Sequence, residues 1–417
     1  MSQQISPAAA VRRTSLDAVL SYAWDSDVFT ASDAMAVVGL TRSTTIDVIE
    51  ELVALGLLRE LPNARAVGDY QKGRPARRFE LRADAAVVVG TDVGPDHILT
   101  AVADLRGEIL AFERTDTDLD HDSPGERRAA ATSAVDDALR AAGATRDDVL
   151  ALCAGVPAPV DSAGSSPPHR NGFWRRMNPN LTELFGSWAP LVSVKNDASL
   201  AAVAEGSLGA AVGVRDFVTL LSGEFLGAGA VVDGNLLRGA HGGVAEMVAF
   251  DHVVGVEDAG GLGVRISQWA QEAIQSGEFL PEGAPADSWP AATDGRAVLA
   301  LARAGDQDAQ RLVARAGRVL SIIAGVFGSL FDPRRVILSG MASRDAAELV
   351  EAARTSLPLE LDLPAPELVA SQLGGDVVCI GAVSAALDAA RIGVLDLGPR
   401  WRGLAPIEAD KPAAALR

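Results

Sequence analysis

The sequence predicts an α/β protein in two parts. A winged helix-turn-helix is expected over residues 1–85, and a two-lobed body of strands and helices over 86–396. Three observations carry this. Residues 14–58 read as three short helices with a glycine turn before the third. The next stretch, "LLRELPNARAVGDYQKGRPARRFELR", alternates as a β-hairpin. From residue 86 apolar strands alternate with helices, and one three-stranded pattern occurs twice.

In the first helix, "SLDAVLSYAWD", Leu16, Val19, Leu20 and Ala23 share one face. Ser32 or Asp33 is placed to cap a second helix that stops at Gly39, and Thr41 or Ser43 to cap the third. Ile49, Leu52 and Val53 form the apolar face of that third helix. In a helix-turn-helix, the first residues of the second motif helix reach base edges in the major groove. Thr41, Arg42, Ser43, Thr44 and Thr45 are therefore the candidates for DNA contacts. The hairpin turn carries Lys72, Arg74, Arg77 and Arg78, and a Gly-Arg-Pro tip presents an arginine to phosphates or a narrow minor groove. Arg74 and Arg77 are the wing candidates, and Arg74→Ala is expected to weaken DNA binding. A plain three-helix bundle is the alternative for the helices alone; the basic wing argues against it.

Charge is unevenly placed. The chain of 417 residues has 37 Lys/Arg against 55 Asp/Glu, yet residues 1–82 hold ten of each, so the body carries the whole net charge of −18. An acidic body on a balanced N-terminal module is compatible with DNA binding through that module. The N-terminal residues lack the apolar core of a signal peptide. The longest apolar run, 319–331, is shorter than the roughly 18–20 residues of a membrane span. Cys153 and Cys379 stand far apart without a Cys-x-x-Cys pair, which predicts reduced thiols and a cytoplasmic protein with no membrane partner.

In the body, "AVVVGTDVG" is an apolar strand entering a Gly/Asp turn, and "HILTAVADLRGEILAFERT" reads as two further strands joined at Arg106-Gly107. The unit returns at 216–238 as "FVTLLSG", a glycine-rich turn, "GAGAVV" and "DGNLL". Two such lobes facing a cleft describe the actin/hexokinase-like ATPase fold. A tail of low structural content is expected over 397–417.

Five stretches, "GVPAPVD", "FWRRMNPNL", "VKNDASLAAVAEG", "GAGAVVDGNLLRGAHGGVAE" and "LFDPRRVILSG", resemble successive landmarks of the ROK family. That family unites sugar kinases with transcriptional repressors that carry an N-terminal winged helix. The resemblance implies nucleotide phosphates at the two hairpin turns, substrate in the interlobe cleft, and Asp197 as catalytic base. Helix capping is the other reading of Asp197.

The departures from the kinase pattern all point one way. The first phosphate turn reads Asp92-Val93-Gly94-Pro95-Asp96; proline removes a backbone N–H and Asp96 replaces a hydroxyl with a like charge. The second reads Gly223-Glu224-Phe225-Leu226-Gly227, again with an acid in the hydroxyl's place and a ring blocking close approach. Each carboxylate beside a polyphosphate opposes binding by about 1–4 kcal/mol. The third glycine cluster is reduced to Ser339-Gly340-Met341. After the second hairpin, Glu246 remains while the family's histidine and cysteine-rich zinc motif are missing. No metal, cofactor or nucleotide is expected; His241 and His252 read as ordinary loop residues.

Asn196, Asp197 and Glu246 are the candidates for hydrogen-bonding a ligand in the cleft, with Trp174 either stacking on it or pinning its own loop. The reading is a DNA-binding transcriptional regulator, most simply a repressor of carbohydrate-related genes, whose degenerate kinase cleft senses a sugar or sugar derivative and is not an enzyme. Its expected partners are a palindromic operator and a second copy, as homodimer or homotetramer. The alternative is an active ATP-dependent sugar kinase with an appended DNA-binding domain.

Overall fold

The computed structural model describes residues 7–62, 76–117, 123–169, 171–277, 294–356 and 363–397. Three helices, α1 (Pro7–Trp24), α2 (Ala31–Val38) and α3 (Arg42–Ala54), pack around Leu16, Val19, Leu20, Ile49 and Leu52, all buried. Thr30, not Ser32 or Asp33, caps α2: its side chain accepts from the Asp33 N–H, and Asp33 reaches back to the Thr30 N–H at 2.8 Å. Asp33 thus serves as the third residue of a capping box. Gly39 ends the helix in the left-handed region, φ 70°. A three-stranded sheet completes the module, with β3 (Arg78–Leu81) between β1 (Phe29–Thr30) and β2 (Leu58–Leu61).

The body holds two five-stranded sheets of the same topology. In the first lobe, β4 (Val87–Val93), β5 (His97–Asp104) and β6 (Ile109–Asp116) form an antiparallel meander. Strands β7 (Val149–Val156) and β8 (Leu191–Asn196) then join in parallel on the β4 side, giving the order β6-β5-β4-β7-β8. The helix α4 (Pro124–Ala141) covers that sheet, and two short helices, α5 (Phe173–Met177) and α6 (Leu181–Gly186), precede β8.

The second lobe repeats the arrangement with β9 (Phe217–Ser222), β10 (Leu226–Val232), β11 (Asn235–Leu236), β12 (Arg335–Ser339) and β13 (Glu367–Ala370) in the order β11-β10-β9-β12-β13. Its core is closed by α8 (Leu262–Ser276), α9 (Gly295–Arg303), α10 (Gln307–Phe331) and α11 (Ser343–Arg354).

Between the lobes run α7 (Asp197–Ser207) and the last helix, α12 (Val377–Leu397). A Cβ on Gly381 would sit 2.0 Å from the Leu200 carbonyl oxygen, so α12 crosses α7 backbone to backbone. Gly229 plays the same part for β10, where a Cβ would lie 2.5 Å from the Ala198 carbonyl oxygen. Two helices, Gln307–Phe331 and Gly374–Leu397, are long and apolar enough to cross a membrane, beyond the shorter run expected from the sequence; more than half of each apolar window, 61% and 56%, is packed inside the protein.

The winged helix is not loosely tethered. Its core residues and those of the first lobe and α12 belong to one continuous apolar cluster. Arg106, at the β5–β6 turn, donates to the Trp24 and Ser26 carbonyls at 3.3 and 2.6 Å. Arg391 of α12 donates to Asp25 Oδ1 at 2.8 Å and to Ser21 Oγ at 2.7 Å, and Arg13 pairs with Asp396. The tail expected over 397–417 lies outside the described residues from 398 on.

Candidate functional site

The candidate residues fall on two surfaces, the start of α3 and the cleft between the lobes. Thr41 caps α3, accepting from the Thr44 N–H at 3.3 Å, and Thr41, Arg42 and Ser43 are exposed. Thr44 is half-buried, its hydroxyl 2.9 Å from that of Thr41. Thr45 is fully buried and its hydroxyl donates to the Thr41 carbonyl at 2.9 Å, so the expectation that it contacts DNA is corrected. A helix turns by 100° per residue, and position 45 falls on the face that packs inward.

Arg77 is also committed elsewhere. It donates to Glu50 of α3 at 2.9 Å and to Glu60 of β2 at 2.7 Å, and lies 5.2 Å from the Phe79 ring centroid. This arginine ties the wing to α3, and to reach a phosphate it must first exchange both carboxylates. Arg74, with the rest of the wing tip, lies outside the described residues.

The cleft has a volume of about 860 Å³ and is lined by both hairpin turns, by α8 and α9, and by the start of α12. That volume suits a small-molecule ligand. In the first turn, His97 lies between two acids: Nδ1 is 2.7 Å from Asp96 Oδ1 and Nε2 is 3.5 Å from Asp92 Oδ2. Its pKa is raised, chiefly by the hydrogen bond to Asp92 and against the effect of burial. The turn is therefore occupied by the His97 ring, held between Asp92 and Asp96 where a phosphate would otherwise approach.

In the second turn, the Gly223 N–H donates to the Phe225 carbonyl at 3.2 Å, and the Glu224 carbonyl accepts from Gly261 at 2.8 Å. A Cβ on Gly261 would lie 1.9 Å from the Gly223 carbonyl oxygen, so the two segments touch along their backbones. Phe225 is 57% exposed and meets Phe173 of the opposite lobe edge-on, ring centroids 6.4 Å apart. The third glycine segment is filled too. Ser339 Oγ donates to buried Glu205 at 2.9 Å, and a Cβ on Gly340 would strike the Leu221 side chain.

Asp197 is the residue among the four ligand candidates that lines the cleft. Asn196, not Asp197, is the N-cap of α7: its Oδ1 accepts from Ser199 at 2.9 Å, while its Nδ2 donates to Asp197 Oδ1 at 2.9 Å and to the Ala158 carbonyl at 3.3 Å. Its amide thus serves the fold and orients Asp197. Asp197 Oδ1 also accepts from Ala198 N–H at 2.7 Å, which leaves Oδ2 for a proton or a ligand. Burial, then the charge of Asp92 and that of Glu246, pushes the Asp197 carboxyl up to about 8.

Glu246 is partly buried beside Asp197, and burial raises its own pKa against the opposing influence of His169. Trp174 lies against His169, ring centroids 4.4 Å apart and planes tilted by 38°, and packs on the first-lobe core, so it pins its loop. Sequence reasoning missed His97. A histidine one residue after an acidic hairpin turn was the available signal.

Residues 88–389 match the ROK family, and the chain belongs to that family. Among curated relatives, it is 24% identical to the xylose repressor of Caldicellulosiruptor bescii over 230 residues, 55% of this chain and 56% of that protein. It is 28% identical to a transcriptional regulator of Mycobacterium bovis over 347 residues, 79% of this chain and 74% of that one. The chain thus spans about half the length of the xylose repressor. Of solved structures, a ROK family transcriptional regulator homologous to the Escherichia coli MLC protein superposes with TM-score 0.71 at 20% identity, over 93% of this chain and 98% of that one. A ROK glucokinase from Streptomyces griseus, solved with glucose and AMPPNP, superposes with TM-score 0.59 at 26% identity, over 73% and 100%. The fold is actin/hexokinase-like, with repressors and sugar kinases both among its relatives.

Proposed function

We propose that this protein is a DNA-binding transcriptional regulator whose interlobe cleft senses an uncharged polar small molecule of the sugar class, and that it is not a kinase. The observation that carries the reading is the pair of hairpin turns. One is closed by His97 between Asp92 and Asp96, the other by the backbone of residues 259–262 with Glu224 and Phe225 at its tip. Asp197, its carboxyl pushed up to about 8, would donate a hydrogen bond from Oδ2 to a ligand hydroxyl.

Signal transfer follows from α12. Its first turn, at Val378, lines the cleft, and its last turns hold α1 through Arg391 and Asp396. A helix of 21 residues spans about 30 Å. A ligand that favours one closure angle of the lobes shifts this helix and with it the winged helix. In a dimer the shift changes the spacing of two DNA-reading helices. Arg391→Ala is expected to leave ligand affinity unchanged while weakening the ligand's effect on DNA affinity; equal coupling in the variant would remove α12 from the pathway.

The test of the cleft is a thermal-unfolding panel of the full chain with free sugars, sugar phosphates and Mg-ATP in separate wells. A ligand at 100 times its dissociation constant stabilises the fold by about 2.7 kcal/mol. A shift with a sugar and none with Mg-ATP supports the reading. The kinase alternative is favoured by the position of Asp197 in the cleft and by the glucokinase similarity. ATP consumption that depends on one sugar and vanishes in Asp197→Ala would put it first.

A further inference from the structure

A second pocket, of about 130 Å³, lies where the outer strands of the two sheets approach each other, β8 from the first lobe and β11 from the second. None of its lining residues lines the cleft. Lys195 enters it from β8 and Arg238 from the segment after β11, so each lobe supplies one cation. Among the described residues neither cation forms an ion pair, although the charge of Lys195 is felt by Asp388 of α12, whose pKa burial raises and that charge lowers. Both are near enough to the buried Cys153 thiol for their charges to favour its ionisation, against the burial that holds its pKa up.

The lining acid, Asp161, is turned to its own loop: Oδ1 accepts from the Ala163 and Ser165 N–H groups, each at 2.9 Å. The hydroxyls of Thr182 and Ser199 also line it, as does Asn196, one of the ligand candidates that do not line the cleft. Alongside, a Cβ on Gly242 would sit 2.0 Å from the Val160 carbonyl oxygen, so the lobes touch backbone to backbone at the pocket's edge.

We propose that this pocket binds a small oxyanion, either free or as the ionised group of a sugar acid or sugar phosphate, bridged between Lys195 of one lobe and Arg238 of the other. A buried water needs about 10–15 Å³ of such space, and a drug-sized ligand about 300–1,000 Å³. The pocket therefore holds a carboxylate or phosphate group and not a nucleotide. Arg238 offers a planar fork to two oxygens and Lys195 a point charge. A bridging anion fixes the lobes at one angle, because each cation belongs to a different lobe. The inference does not rest on a sugar occupying the cleft.

Titration calorimetry of the full chain tests it, with inorganic phosphate, gluconate and glucose 6-phosphate as probes and glucose as the uncharged control. At least one of the three anions is expected to bind, more weakly as salt rises, and with at least tenfold lower affinity in Arg238→Gln and in Lys195→Gln. Phosphate binding as tightly as the sugar-borne anions identifies a free-ion site; tighter binding of a sugar-borne anion identifies an effector group. No binding of any anion to the wild type, or equal binding to wild type and Arg238→Gln, overturns the proposal. Arg238 lies exposed at the rim, so its variant keeps the fold even if Lys195→Gln does not. Glucose binding that survives both variants belongs to the cleft and leaves that reading standing on its own.

Discussion

Asp197→Asn raises the stability of the protein at neutral pH and flattens its pH dependence. The carboxyl has an ordinary value of 3.8 and is pushed up to about 8 in the fold, first by burial and then by Asp92 and Glu246. Below the ordinary value, folded and unfolded chains both hold the proton. Between the two values the folded chain keeps a proton that the unfolded chain has lost, so this group lowers stability progressively as pH rises. Above about 8 both are ionised and the penalty is constant. Each pH unit in that window is worth about 1.4 kcal/mol, so the penalty at pH 7 is on the order of a few kcal/mol. Asparagine keeps the Oδ1 acceptor for Ala198 and Asn196 and supplies a permanent donor in place of the protonated Oδ2. Urea unfolding from pH 5 to 9 should show the variant gaining on the wild type up to pH 8. Parallel curves would mean that Asp197 is ionised at neutral pH and that the cleft offers no neutral carboxyl donor.

Gly381→Val should cost about 3 kcal/mol or more. Overpacking usually costs about 1–3 kcal/mol because side chains yield. Here the added carbon meets the main chain of α7, at 2.0 Å from the Leu200 carbonyl oxygen and 2.6 Å from its carbon, and the main chain has no rotamer to change. On its opposite side α12 lies against β4, where a Cβ on Gly90 would sit 2.4 Å from the Val383 nitrogen, so the helix has no room to retreat. The damage should reach the winged helix, since Arg391 on the same helix holds α1. Limited proteolysis at fixed temperature should release the N-terminal module sooner than in the wild type, alongside a lower urea midpoint. An unchanged midpoint would place the tightness of the α7–α12 crossing in doubt as a source of stability.

Much of the fold is written locally. Period-two apolar strands, the Arg106-Gly107 turn and the returning glycine-rich hairpin gave away the duplicated sheets. Gly39 and Thr41 marked the break between the motif helices. The N-cap of α2 was misplaced by two or three residues because Thr30, Ser32 and Asp33 are all competent caps; the capping box, which needs both Thr30 and Asp33, decides among them. Asp197 against Asn196 is the same problem one residue apart.

The site was legible only where chemistry and chain order coincide. Acids at both hairpin turns could be read directly. The partners of Arg77 could not, because Glu50 and Glu60 lie 27 and 17 residues away and become neighbours only when wing and α3 pack. Nor could the convergence of Lys195 with Arg238, which depends on two sheet edges from different lobes meeting.

Regulation through DNA requires the start of α3 to read specific sequences, as proposed. The most direct test is to incubate the purified full chain with sheared DNA from its own genome at physiological salt, sequence the retained fragments, and repeat with Arg42→Ala. Arg42 is exposed on the first turn of α3, the turn with which a helix-turn-helix recognition helix reaches base edges. The account predicts a small set of enriched fragments sharing one motif, lost or strongly depleted in the variant. Uniform retention of all fragments, or the same enrichment with and without Arg42, would contradict it.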